Sequence, residues 1–254
     1  MDLLDQADQV AIELTLAIKG GDIPALGRLL AARPALATAG IIGRKGLEGG
    51  VRTPLHVVTD WPGYFPAGPA IVGILIAAGA DPDALTGGDQ PETPLHWAAS
   101  SDDADVAEAL ISGGAALDVP GGSIGTPLEN AVGYGCWHVA RLLVARGARV
   151  DRLWTAAALG LLPRIEEFLA PGLPADQLNE AFWQACHGGQ RRAAELLLDR
   201  GADLSAIPGY AEQTAAQAAA ALDTRRANLV SWLSERQGHG THPPGYGNSP
   251  GYGN

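Results

Sequence analysis

Apolar residues along this chain fall into short stripes at helical spacing, grouped in pairs and punctuated by glycine. Val106, Ala109, Leu110 and Ile111 form one stripe, and Val139, Leu142 and Leu143 form another. Both run into Gly-Ala, at Gly114-Ala115 and Gly147-Ala148, and the pair returns at Gly79-Ala80 and Gly201-Ala202. Glycine there suits the left-handed conformation that closes a helix. Some way upstream of each stripe a second phrase recurs: Thr53-Pro54-Leu55-His56, Thr93-Pro94-Leu95-His96 and Thr126-Pro127-Leu128-Glu129. Threonine before proline reads as a helix start, because the hydroxyl can accept a first-turn N–H and proline's missing N–H costs nothing there. The leucine then points inward, and small residues (Ala98, Ala99, Ala131) let a second helix lie close. Helices this short cannot bury an apolar face alone. A period of about 33 residues therefore predicts helix pairs that lean on their neighbours.

The phrase resembles the ankyrin repeat. Thr-Pro-Leu-His-x-Ala-Ala is complete at 93–99, and Leu-Leu-x-x-x-Gly-Ala stands at 142–148. Aligned on the key leucine, the anchors are Leu14, Leu55, Leu95, Leu128, Leu153, Phe182 and Ala216. The resemblance covers about residues 10–237. It implies an all-α ankyrin-repeat solenoid of about seven helix-turn-helix repeats within 1–237, degenerate at its ends and around 153–170, where a trimmed hairpin is expected. Residues 238–254 carry Pro-Gly-Tyr-Gly-Asn twice and almost no apolar content, which predicts a disordered Gly/Pro/Tyr/Asn tail.

Charge narrows the partners. A net charge of −11 argues against nucleic acid and against an anionic membrane surface. The two cysteines, Cys136 and Cys186, show neither a disulfide framework nor metal spacing, so two buried free thiols are expected. The acidic start, Met1-Asp2-Leu3-Leu4-Asp5, has no basic lead, and the apolar run around Ile71–Ala80 is too short to span a bilayer. A cytoplasmic protein without a cofactor is the expectation.

Departures from the repeat are where a function is sought. The insertion at 36–52 is glycine-rich and carries Arg44, Lys45 and Arg52, a candidate anion site beside a helix start. The insertion at 60–69 places Trp61, Tyr64 and Phe65 among three prolines, either as a cap on the neighbouring repeat or as an exposed aromatic lip. In ankyrin repeats the residue two positions after the key leucine lines a concave groove. Here that rule selects Val57, Trp97, Asn130, Thr155 and Gln184, with Ser100, Ser101, Tyr134 and His187 further along the same stripe. His56 and His96 hold the motif position, implying a structural hydrogen bond, and Glu129 replaces them in the next repeat as part of a relay. No serine or cysteine sits in a nucleophile motif. The resemblance therefore implies a non-catalytic scaffold that binds another protein through the groove and inserted loops. The alternative is a small-molecule binder or enzyme in the same groove, closed over by the two insertions.

Overall fold

The computed structural model describes residues 2–43, 50–169, 172–220 and 227–239. Arg44, Lys45 and the tail from 240 lie outside the described residues. The chain divides into two compact units, Met1–Asp151 and Arg152–Asn254.

The first unit opens with a strand, β1 (Leu3–Asp5), followed by α1 (Gln9–Gly20), α2 (Ile23–Ala32) and a 3-10 turn at Pro34–Thr38. Two short strands follow, β2 (Gly40–Ile42) and β3 (Val51–Arg52). β2 runs parallel to β1 and antiparallel to β3, with Leu4 opposite Ile41 and Ile41 opposite Arg52. The sequence pattern did not predict this small sheet. The Ile41-Ile42 pair supplies its β-branched centre, and Ile41 and Leu4 are buried. Three helix pairs then follow: α3 (Pro54–Val58) with α4 (Gly68–Ala77), α5 (Pro94–Ser101) with α6 (Ala104–Ser112), and α7 (Pro127–Gly133) with α8 (Trp137–Ala145). First helices stack in the order α1, α3, α5, α7, and second helices in the order α4, α6, α8. Between them lies a core of Leu14, Ile18, Leu26, Leu55, Ile71, Leu75, Leu95, Leu110 and Leu128.

The second unit contains α9 (Leu153–Leu159), α10 (Leu162–Phe168), α11 (Ala175–His187), α12 (Arg191–Asp199), α13 (Ala215–Ala220) and α14 (Ala227–His239). The α9–α10 pair has seven residues in each helix, the trimmed hairpin expected around 153–170. Phe182, Ala185 and Cys186 are fully buried and hold α11 against α9. Most motif leucines reach the core, but Ala216 is only half-buried and its neighbour Ala215 takes the buried place. No helix among the described residues is long and apolar enough to cross a membrane.

The Gly-Ala closures behave as the pattern requires. Gly114 and Gly147 have φ of +100° and +96°, with open space where a Cβ would project. Their constraint is therefore backbone strain, not crowding. Changing either to valine is expected to cost more than about 1 kcal/mol, read as a lower urea midpoint with an unchanged slope.

Candidate functional site

The motif histidines are structural, as expected. The Thr53 N–H donates to His56 Nδ1 (3.2 Å), and the Thr93 N–H to His96 Nδ1 (3.1 Å). A backbone N–H can only donate, so Nδ1 is the acceptor and the ring proton sits on Nε2. Nε2 then donates across to the loop leading into the next repeat, His56 to the Glu92 carbonyl and His96 to the Gly125 carbonyl, both at 3.0 Å. Glu129 closes the same box with a carboxylate: Oε2 accepts the Thr126 N–H at 2.8 Å. The relay thus runs through backbone carbonyls, not from ring to ring. Burial holds His56 down to about 4 and lowers His96 as well, so both stay neutral.

Two recesses in the first unit meet at Gln6 and Arg52. One, of roughly 400 Å3, is lined by Ile12, Thr15 and Leu16 of α1. The other, of roughly 240 Å3, is lined by Val51, Thr86, Gly87, Glu92 and Trp97. Neither is an enclosed cavity, and no residue of 60–69 lines either one, so that insertion does not close over them. Trp97 is half-buried and meets the His56 ring edge-on, with centroids 5.1 Å apart. Arg52 is not a free anion ligand: its Nη1 pairs with Asp60 at 3.3 Å, and the same carboxylate takes Lys19 at 2.7 Å.

The outward stripe needs correction. Val57, Asn130, Thr155 and Gln184 are buried, not exposed. Within the first unit α3 and α7 are flanked by neighbouring helices, so the short Val57 and Asn130 stay below the surface, and in the second unit Gln184 lies against Tyr210. Asn130 Nδ2 donates to Glu92 Oε1 (3.0 Å), steadying the wall of the recess from behind. Leu16, two positions after Leu14, is the stripe residue that sequence reading passed over, although the rule that selected Trp97 selects it too. It is 66% exposed.

The 60–69 insertion lies at the turn between paired helices. Phe65 is half-buried under the Lys19 ammonium, which stands 5.1 Å from its ring centre. Trp61 and Tyr64 are 79% and 64% exposed, so they do not cap by burial. Asp103, buried at the start of α6, anchors the loop: Oδ2 accepts the Tyr64 N–H at 2.6 Å while Oδ1 accepts the Val106 N–H. The Tyr64 hydroxyl donates to the Asp102 carbonyl. Asp102 in turn reaches forward to the next pair, its Oδ1 accepting the N–H groups of His138 and Val139 at 3.0 Å. The half-buried Ser101 turns its hydroxyl inward to the Trp97 carbonyl (3.0 Å), whereas Tyr134 is 60% exposed at the following turn.

Gln184 and His187 belong to the second unit. Gln184 Nε2 donates to the Tyr210 hydroxyl (3.0 Å), and the His187 ring stacks on Trp183 at 5.1 Å. Tyr210 also meets Trp183 edge-on at 6.0 Å, and burial followed by nearby Glu180 pushes its phenol up to about 12. Tyr210 lies in a connecting loop with no periodic signal, so no local pattern singles it out. Cys136 and Cys186 are free and buried, with burial raising their thiols to about 11 and about 12. At neutral pH burial therefore keeps both as protonated thiols.

Comparison with known proteins agrees with this geometry. Residues 64–152 match the family described as "Ankyrin repeats (3 copies)". A relative from Caenorhabditis elegans, "Ankyrin repeat and KH domain-containing protein mask-1", is 32% identical over 160 residues, which is 59% of this chain. The match spans only 6% of that protein's length. Among solved structures, the ankyrin repeat domain of Bcl-3, described as a unique member of the IkappaB protein family, superposes with a TM-score of 0.51 and 24% identity. That likeness covers 90% of this chain and 99% of the Bcl-3 chain and bears on the fold alone. With its Thr-Pro-Leu-His boxes and stacked helix pairs, this chain has the ankyrin-repeat fold, and its residues 64–152 match the ankyrin-repeat family.

Proposed function

We propose that the chain is a binding scaffold that recognises another protein on two surfaces of its first unit. Ankyrin repeats are in general protein-interaction modules, and the joined recess beneath Leu16, Arg52 and Trp97 carries the reading for this chain. It offers an exposed aliphatic contact at one end and a half-buried tryptophan between charged walls at the other. Apolar contacts at the two ends, joined through the polar Gln6 and Arg52, give a partner both the burial and the hydrogen bonding that protein interfaces combine. The second surface is the aromatic turn edge formed by the 60–69 insertion. A cytoplasmic setting fits the reading, since both thiols are buried unpaired.

Affinity capture from the native cell, comparing wild type with a Leu16→Glu/Trp97→Ala variant, tests the recess. A protein held by wild type and lost by the folded variant is the expected outcome. If both baits retain the same proteins, and only small molecules separate them, the scaffold reading of the recess fails.

A further inference from the structure

Among the described residues few aromatic side chains are exposed, and those of the first unit share one edge. Among its described residues they are Trp61, Tyr64 and Tyr134. All three stand at turns between paired helices. The edge is continuous through its hydrogen bonds: Tyr64 is tied to Asp102 and Asp103, and Asp102 to the start of α8. Cys136 Sγ, beside Tyr134, reaches back to the Ser100 carbonyl at 3.4 Å.

The edge is also negative. Asp102 and Asp103 hold the turn there, Asp105 follows in the first turn of α6, and among the described residues no lysine or arginine pairs with any of them. The side-chain contact on these carboxylates is His138 Nδ1, 2.7 Å from Asp102 Oδ2.

Elsewhere the chain covers aromatic faces with its own cations. Lys19 lies over Phe65, Arg164 over Phe168 at 4.5 Å, and Arg191 over Trp232 at 5.9 Å. No cation of the described residues lies over Trp61, Tyr64 or Tyr134.

We propose that this edge receives an arginine-rich segment of a partner protein, with guanidinium groups stacked on Trp61, Tyr64 and Tyr134 and paired with Asp102 and Asp105. A guanidinium is suited to both contacts at once, because its plane stacks on a ring while its N–H fork meets a carboxylate. Lysine satisfies only the charge. The inference rests on the scaffold reading and supplies the chemistry of its second surface.

The test is fluorescence anisotropy with the full chain and labelled octa-arginine, octa-lysine and octa-glutamate, at low and physiological salt. Octa-arginine is expected to bind most tightly, and more weakly as salt rises. Trp61→Ala and Tyr134→Ala, each with an unchanged melting temperature, are expected to weaken it about tenfold, as loss of an aromatic anchor does. Asp105→Lys should weaken it about as much, whereas Glu13→Lys, the same charge change on α1, should cost less than about twofold. Absence of octa-arginine binding at low salt overturns the proposal. So do equal losses from Asp105→Lys and Glu13→Lys with silent aromatic variants, since that pattern is diffuse attraction to a chain of charge −11. Equal binding of octa-glutamate overturns it as well. The Leu16→Glu/Trp97→Ala capture leaves this edge intact, so failure at the recess and failure here are read separately.

Discussion

Gly188→Ala is expected to destabilise the protein by about 3 kcal/mol, the upper part of the range for forcing atoms into a packed interior. Gly188 closes α11 with an ordinary negative φ, so nothing about its backbone demands glycine. What demands it is α9. A Cβ at Gly188 would stand 1.9 Å from the Ala158 carbonyl oxygen and 2.7 Å from its carbonyl carbon. Both are backbone atoms of a helix that α11 packs against, so no side chain can swing aside. Accommodation means separating the two helices around buried Phe182 and Ala157. A drop in melting temperature of roughly ten degrees should follow, from the scaling for chains of this length. Gly114→Ala provides the contrast, because its Cβ meets nothing and only the left-handed φ is strained. An unchanged melting temperature in Gly188→Ala would mean that α9 and α11 do not approach this closely.

The second large effect is acid sensitivity. His56 titrates near 6.5 when the chain is unfolded and at about 4 when folded, because the buried ring cannot easily take a charge. Between those values the unfolded chain binds more protons, so stability falls as pH falls. The contribution is complete above about pH 6.5 and is lost progressively toward pH 4. For His56 it amounts to roughly 3 kcal/mol, and His96 shifts in the same direction. Urea titrations at a series of pH values from 7.5 downward should show the midpoint falling before most carboxylates titrate. Glutamine offers a control, since this chain already uses it in the same box. Gln217 Oε1 accepts the Thr214 N–H at 2.9 Å, and Thr214 Oγ1 accepts the Gln217 N–H at 3.2 Å. The His56→Gln/His96→Gln variant should be less stable at neutral pH, having lost two inter-repeat bonds, but flatter between pH 6.5 and 5. A wild-type midpoint that does not move across that interval would show that the rings are already protonated, or that water reaches them.

What could be read from the sequence follows the range of the interactions involved. The Thr-Pro-Leu-His boxes, the Gly-Ala closures and the helix pairing are local, because a cap needs only the next three or four residues. The trimmed hairpin at 153–170 was legible for the same reason, as a shortened spacing between anchors. The candidate site was legible only in part. The sequence assigned Trp97 to a groove and Arg52 to an anion site, with no sign that the two line one recess, and the stripe rule treated Asn130, Thr155 and Gln184 as equals of Trp97. Helical phase gives direction along one helix and carries no information about how far the flanking helices rise beside it.

Sequence alone thus determined that this chain builds stacked helix pairs, where most of them start and stop, and that His56 and His96 cap two of them. Tertiary structure alone decided which outward residues reach water, that Arg52 is committed to Asp60, and that Trp61, Tyr64 and Tyr134 share an edge with three aspartates. Those outcomes depend on contacts such as Arg52–Asp60, Tyr64–Asp103 and Asp102–His138. Such contacts join residues that no local pattern relates, and their energies exist only after the stack has formed.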